Sequence, residues 1–142
     1  MVPPLPDSQC SAELAESTSA PLSEPPVLDT SVFQELLQTL AGDLDVVVSI
    51  YRTFLGTAAM LIDRLSDQDC AAQAATLHTL KGSAAMVGAM RLGQLAARLH
   101  QVASTFLHPV VETRIEELTG ELDIFRRAIN AQARSFQYRS EI

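Results

Sequence analysis

The stretch LDVVVSIYRTFLGTAAMLIDRL, residues 44–65, decides the fold, because its apolar side chains recur every three or four positions. This spacing places them on one face of an α-helix, whereas a half-buried β-strand would alternate apolar and polar residues. Asp43 stands directly before the stretch, where its carboxylate can cap the first turn. We therefore predict a long amphipathic helix whose buried stripe comprises Leu44, Val47, Val48, Tyr51, Phe54, Leu55, Ala58, Leu61, Ile62 and Leu65.

The same helical period continues on both sides of this stretch. A short helix is predicted before it, within residues 29–42, and three longer helices follow within residues 69–88, 92–106 and 109–136. No window alternates as a strand would, and the connections are short enough to make consecutive helices antiparallel neighbours. The predicted fold is therefore all-α: an antiparallel up-down four-helix bundle with a short extra N-terminal helix.

The last of these helices is predicted to begin at Pro109, since proline suits a first turn, where the backbone N–H has no partner within the helix. Its apolar stripe comprises Val111, Ile115, Leu118, Leu122, Phe125, Ile129 and Phe136. The acids between them are expected to form a solvated face, and the arginines near the C-terminal end suit the helix dipole. These charges need no nucleic acid to explain them.

The composition agrees with one helical domain. The 142 residues are 47% hydrophobic and 19% charged, aromatic residues make up 5%, and alanine and leucine contribute 19 residues each. Alanine and leucine favour helices, whereas strands favour β-branched and aromatic residues. The net charge of −7 argues against a nucleic-acid-binding protein, which needs a basic face. Nine of the ten cations are arginine, and the single lysine is Lys81.

The first part of the chain differs from the rest. Residues 1–28 hold six of the seven prolines, and residues 1–29 carry five acids and no base, which leaves a net charge of only −2 for the remainder. We predict a mostly disordered, Pro-rich acidic tail or linker over residues 1–28. The helical bundle is expected over residues 29–136, followed by a C-terminal tail over residues 137–142.

Cysteine usage and hydropathy bear on the location of the protein. Cys10 and Cys70 lie far apart in different kinds of segment and form no zinc-binding spacing, so we predict two free thiols in a reducing compartment. The sequence shows no signal-peptide pattern and no apolar run of membrane-spanning length. We therefore expect a cytoplasmic protein without direct membrane insertion, and nothing in the sequence demands more than a monomer.

Residues 69–88, DCAAQAATLHTLKGSAAMVG, carry the candidate chemistry. At about 100° per residue, the centre of the apolar face of this helix lies about 140° from His78. His78 is therefore expected to point to solvent, among the small side chains of the outer face, with Lys81 one turn further along. The apolar face comprises Leu77, Leu80, Ala84 and Val87, and the small residues near His78 are Ala71, Gly82 and Ala85.

Three of these residues together indicate a binding function. A histidine can present a neutral, nucleophilic imidazole near pH 7. Gly82 costs about 1 kcal/mol relative to alanine in a helix interior, and it removes a side chain where a partner would approach His78. Lys81 lies within reach of a group bound to His78, and a flexible ammonium can follow a phosphoryl group as a point charge.

The remaining histidines are weaker candidates. The chain reverses at Gly88, ten residues after His78 and twelve before His100, so an antiparallel hairpin would bring these two imidazoles to a similar height. His100 could then orient the His78 ring or take part in its hydrogen bonding, although a surface or packing role is the simpler interpretation. His108 is expected to be solvated at a helix end.

Other kinds of site have no support in the sequence. The Glu-x-x-His ligand pattern of di-metal helical bundles is absent, and so are a phosphate-binding ATP loop and a hydrolytic triad. We therefore predict no metal site, no cofactor and no ATP site on this chain.

The string His78-Thr-Leu-Lys81-Gly82-Ser83-Ala84, followed by Gly88-Ala89 and Leu92, resembles the signature of histidine-containing phosphotransfer (HPt) domains. The resemblance covers residues 29–134. It implies a helical bundle in which His78 accepts a phosphoryl group from the aspartyl-phosphate of a response-regulator receiver domain and passes it to an aspartate of a second receiver.

The resemblance also implies roles for neighbouring residues. Lys81 would help to hold the phosphate, and Gly82 would leave room for the partner. The receiver domains would be the partners and would supply Mg²⁺. Ser83 and His100 are supporting candidates, but a hydroxyl such as that of Ser83 more often bonds to backbone. The family often has Glu or Gln at the position of His100, so this sequence departs from the pattern there.

Two alternative functions stay open at this point. One is a non-catalytic helical adaptor that binds a receiver domain without transferring phosphate. The other is the phosphoacceptor domain of a chemotaxis-type kinase, which a separate domain would phosphorylate from ATP. The chain could be free-standing or a C-terminal piece of a hybrid, membrane-anchored sensor histidine kinase, with the Pro-rich segment as its linker.

Overall fold

A computed structural model describes residues 25–141, with side chains as far as Phe136. Within these residues the chain forms helices and no β-strand, so the all-α prediction is confirmed. A 3-10 turn, Leu65–Asp67, follows the second helix. Residues 1–24 of the predicted tail lie outside the described residues. The helices are α1 (Thr30–Thr39), α2 (Leu44–Arg64), α3 (Cys70–Val87), α4 (Met90–Thr105) and α5 (Glu112–Glu141).

Each of the first three helices begins directly after an aspartate, as the sequence predicts for Asp43. Asp29, Asp43 and Asp69 each accept a hydrogen bond from a first-turn backbone N–H, at 2.9–3.3 Å. These bonds satisfy donors that have no partner within the helix. Gly88 ends α3 with a φ of +77°, a left-handed conformation that glycine adopts without steric cost.

Helices α2 to α5 form a bundle in which each helix packs against two of the others, and α1 packs against α2 and α3. The contacts between α3 and α4 run in opposite directions along the two helices: His78 meets His100, and Ala84 lies beside Gly93. The two helices are therefore antiparallel. A Cβ at Gly93 would lie 3.3 Å from the Cβ of Ala84, so the glycine lets the helices approach closely.

An aromatic cluster joins α1, α2 and α5. The ring of Phe33 stacks on Tyr51 and on Phe136, each with 5.5 Å between ring centroids, and Phe125 packs edge-on against Phe54. The Tyr51 hydroxyl donates a hydrogen bond of 3.0 Å to the Val87 carbonyl at the end of α3. Burial, with a smaller contribution from the nearby charge of Asp29, raises the pKa of Tyr51 to about 12. The cluster thus holds the end of α3 against the core.

The predicted start of the last helix is wrong by three residues. Helix α5 begins at Glu112 rather than at Pro109, and Val111, which was assigned to the buried stripe, is 57% exposed. Val110 is buried instead, and its backbone N–H donates a 2.8 Å hydrogen bond to the Gln73 side chain. This tertiary contact between Val110 and Gln73 holds the residues just before Glu112 outside helix α5.

Both ends of the predicted bundle also shift. The backbone of α5 stays helical to Glu141, five residues beyond the predicted end at 136. At the other end, Leu28 is buried although it was assigned to the tail, and the backbone of Asp29 bonds to Gly88 at 2.8 Å. The segment just before α1 is therefore part of the fold, because it pairs with the turn between α3 and α4.

Helix α2 qualifies as a membrane-spanning candidate by length and composition alone, over Leu44–Asp67, contrary to the expectation that no run of that length exists. One face of this helix is buried in the bundle, and 28% of its apolar window is buried. The core helices of soluble proteins pass the same test. The buried residues of α2 are Val47, Tyr51, Phe54, Ala58 and Ile62.

Candidate functional site

His78 lies near the middle of α3 and is exposed, as the helical angles predict. The opposite face of α3 is completely buried at Leu77, Leu80 and Ala84. No hydrogen bond or ion pair joins the His78 side chain to any residue that the structure describes; its ring lies beside the ring of His100. The imidazole is therefore held by a rigid helix, while both of its nitrogens stay available to a partner.

The three glycines of the α3–α4 hairpin differ in why the structure has a glycine at each position. Gly88 needs its positive φ, and Gly93 admits the close approach of the two helices. Gly82 is exposed, and a Cβ built there would meet no atom within 4 Å. Nothing in the described chain requires a glycine at that position, although it weakens the helix by about 1 kcal/mol. The open space one turn after His78 is consistent with an approaching partner.

Lys81 lies on the same exposed surface as His78. Its ammonium forms no ion pair with any part of the chain between residues 25 and 136. Lys81 also borders a shallow cavity of about 320 Å³ between α3 and α4, whose other lining residues include Ala85, Met90 and Gln94. A cation without a partner in the fold is available to an anionic group at His78.

The structure brings His100 to His78. The ring centroids of the two histidines are 5.6 Å apart, with the ring planes tilted by 44°. His100 is half-buried on α4, and no hydrogen bond links the two rings. The antiparallel hairpin thus produces the proximity that the count of residues around Gly88 predicted, whereas the part that His100 plays stays a prediction.

The other candidates are less closely tied to His78. Ser83 is half-buried, and its hydroxyl has no hydrogen bond within the described part of the chain. His108 is exposed in the α4–α5 connection. Over the described residues, no group of three or more histidine, cysteine, aspartate or glutamate side chains is placed to hold a metal ion.

Sequence reasoning missed two exposed methionines beside the site. Met86 is 78% exposed and Met90 is 40% exposed. At 100° per residue Met86 lies on the outer face of α3, two turns after His78, so the helical angles would have found it. Packing in the core does not explain a methionine that is exposed. The flexible methionine side chain adapts well to a partner surface.

Sequence reasoning also missed the buried polar residues of α3, which fix its position. Gln73 is only 2% exposed; its amide N–H₂ donates to the Leu65 carbonyl, and its amide oxygen accepts from Val110 N–H, both at 2.8 Å. The Thr76 hydroxyl donates to the Gln68 side chain at 2.9 Å. These bonds tie the first turns of α3 to the α2–α3 and α4–α5 connections, and so set the orientation in which His78 faces outward.

Comparison with known proteins gives a family match and a structural match. A family model, the Hpt domain, matches residues 49–131, which is more than half of the chain and includes His78, Lys81, Gly82 and His100. No curated protein sequence matches. The crystal structure of histidine-containing phosphotransfer protein B (HptB) from Pseudomonas aeruginosa PAO1 is similar in fold, with a TM-score of 0.67 and 22% sequence identity, covering 79% of this chain and 98% of that one. The chain therefore belongs to the Hpt domain family and is a histidine phosphotransfer module.

Proposed function

We propose that His78 accepts a phosphoryl group from the aspartyl-phosphate of a response-regulator receiver domain and passes it to an aspartate of a second receiver. The proposal rests on one observation. The exposed His78 imidazole forms no hydrogen bond with any described residue, and it lies one turn before the open space at Gly82. A nucleophile on a rigid helix, on a surface cleared of bulk, suits exchange between two large partners.

The chemistry requires little from this chain. A lone pair of the neutral His78 ring attacks phosphorus, the N–P bond forms, and the P–O bond to the receiver aspartate breaks with that carboxylate as the leaving group. In the second step another receiver carboxylate attacks phosphorus and the N–P bond breaks. Phosphoryl transfer depends mainly on alignment and on charge stabilisation. The receiver would contribute Mg²⁺, and this chain would contribute the nucleophile and no cofactor.

The neighbouring side chains would assist in different ways. Lys81 would balance the charge of the phosphoryl group, because its ammonium is exposed and free of ion pairs within the described chain. His100 would orient the His78 ring, since a small rotation would let one imidazole nitrogen accept the N–H of the other across the present 5.6 Å centroid separation. Ser83 would have at most a supporting role through its hydroxyl.

The partner would dock on the exposed surface between α3 and α4. This surface combines the small outer residues of α3 with Met86 and Met90 and the cavity beside Lys81. Its apolar and adaptable character fits a transient protein contact better than binding of a free nucleotide. We expect the module to act in the cytoplasm, where receiver domains would have access to His78, and to act as a monomer.

Incubation with a phosphorylated receiver domain and Mg²⁺ tests the proposal. The unchanged protein is expected to acquire an acid-labile phosphoryl group, and His78→Gln is expected to abolish labelling. His108→Gln provides a matched control, because His108 is also an exposed histidine but has no lysine or histidine partner in the structure. Normal labelling of His78→Gln would overturn the assignment. Receiver binding without labelling of the unchanged protein would also contradict it and would favour an adaptor function.

A further inference from the structure

The pair of imidazoles at the α3–α4 surface has a geometry that phosphoryl transfer alone does not require. His78 and His100 come from different helices, their ring centroids are 5.6 Å apart, and no hydrogen bond links them. The helices that carry them approach closely at Ala84 and Gly93. The backbone separation of the two histidines is therefore fixed by the packed hairpin rather than by the flexible side chains.

This separation matches that of two histidines bound to one metal ion. A zinc–nitrogen bond of about 2.0–2.1 Å places the metal about 3 Å from each ring centroid, so two rings on a tetrahedral ion have centroids about 5–5.5 Å apart. The observed 5.6 Å lies just above this range. To bind one ion, the two rings, now tilted by 44° to each other, would each direct one nitrogen at the same point.

We propose that His78 and His100 together bind a borderline divalent transition-metal ion such as Zn²⁺, for which neutral imidazole is a preferred ligand. The protein would supply two ligands, and water would complete the coordination sphere, because no third ligating side chain lies close by in the described chain. The ammonium of Lys81, one turn from His78, opposes a dication. The site is therefore weak and exchangeable, unlike a structural zinc site with four protein ligands.

Metal binding at this site would compete with phosphorylation, and this consequence rests on the proposed function of His78. A nitrogen lone pair that coordinates the metal ion cannot attack phosphorus, so bound Zn²⁺ would lower the rate at which a receiver phosphorylates the protein. A phosphoryl group on His78 would in turn remove one of the two ligands. His100, on the neighbouring helix, is what makes the pair possible.

Calorimetric titration of Zn²⁺ into the full, unphosphorylated chain tests the metal site directly. Cys10→Ser and Cys70→Ser keep thiols out of the measurement, and serine at position 70 retains a donor for the bond to the Leu107 carbonyl. We expect one ion per chain. His78→Gln and His100→Gln should each weaken binding at least as strongly as the loss of an outer-shell partner does, about 10–100-fold. His108→Gln should bind as the parent does.

Proton NMR of the imidazole rings supplies an independent measurement. Zn²⁺ should shift the ring resonances of His78 and His100 together and leave those of His108 in place. Unchanged affinity in His100→Gln, or equal shifts at all three histidines, would overturn the proposal. Both results are separate from the proposed function: a protein that binds Zn²⁺ at this pair but never labels would contradict the phosphotransfer assignment alone.

Discussion

Helix α3 carries two polar side chains in opposite environments. On its inner face Gln73 is buried, and both atoms of its amide are hydrogen-bonded to backbone groups of neighbouring connections. On its outer face His78 is exposed and has no hydrogen bond in the described chain. The two residues lie five positions apart on one rigid helix. The Gln73 side chain is fully hydrogen-bonded within the fold, whereas the His78 side chain is available to a partner.

The difference shows how this helix separates stability from chemistry. A buried polar group must be satisfied internally, because an unpaired one costs about 1–3 kcal/mol. Polar side chains on the inner face must therefore keep their hydrogen-bond partners. The outer face instead tolerates a glycine that weakens the helix and a lysine without an ion-pair partner in the described residues. Substitutions on the inner face should therefore change stability, whereas those on the outer face should change transfer.

The largest effect on stability is expected from Gln73→Leu. Leucine fits the volume but leaves the Leu65 carbonyl and the Val110 N–H without partners, at a cost of about 1–3 kcal/mol for each buried group. Urea unfolding measures the loss. Gln101→Leu, at an exposed glutamine of α4, is the control and should change stability by less than about 0.5 kcal/mol. Equal effects of the two substitutions would show that Gln73 does not hold the connections.

Tyr51→Phe should have a smaller effect that depends on pH. The substitution removes the hydrogen bond to the Val87 carbonyl, which contributes about 1 kcal/mol. The folded protein holds the pKa of Tyr51 at about 12, above its ordinary value of 10.0, so ionisation opposes folding. The stability that depends on the neutral phenol is present below pH 10 and is lost as the pH rises from 10 through 12.

Urea unfolding of Tyr51→Phe and the parent at pH 8 and pH 11 measures this contribution. The parent should lose more stability between the two values than the variant does. Parallel curves for the two proteins would contradict the assigned role of the buried phenol.

Gly82→Ala should raise stability rather than lower it. Alanine favours an exposed helix interior by about 0.5–1 kcal/mol relative to glycine, and no described atom obstructs its Cβ. Gly82→Ala should also slow phosphoryl transfer from a receiver, because the added side chain faces the docking partner. Gly82→Leu should slow it more strongly. Gly93→Ala is the matched control: its Cβ would crowd Ala84, so no gain in stability is expected. Unimpaired phosphoryl transfer by Gly82→Leu would contradict the idea that Gly82 leaves room for the docking partner.

Lys81→Ala should have the smallest effect on stability, within about 0.5 kcal/mol, because it is a surface substitution that breaks no described ion pair. It should nevertheless slow transfer or shorten the lifetime of phosphorylated His78. Thermal unfolding and the time course of labelling together measure both properties. A large loss of stability with normal transfer would show that Lys81 is structural. Lys81→Arg tests the charge separately, since it keeps the cation but changes its shape.

Much of the site was predictable from residue order. The outward angle of His78 follows from the apolar face of α3, and the approach of His100 follows from similar distances, ten and twelve residues, to the reversal at Gly88. The role of Gln73 was missed, although at 100° per residue it lies at the centre of the buried face. A polar residue at a core angle was the available signal. Its partners could not be inferred, because they lie in two irregular connections, and Val110 meets Gln73 only through the packing of the helices.

The sequence by itself determined the helical class, the cap at Asp43, the end of α3 at Gly88 and the separation of an apolar face from the face that carries His78 and Lys81. These features depend on local periodicity and on interactions within one turn. Only the tertiary structure decided where α5 begins, since the bond from Val110 to Gln73 holds the preceding residues outside the helix. It also decided the 5.6 Å separation of His78 and His100, because the packing of two helices sets that distance.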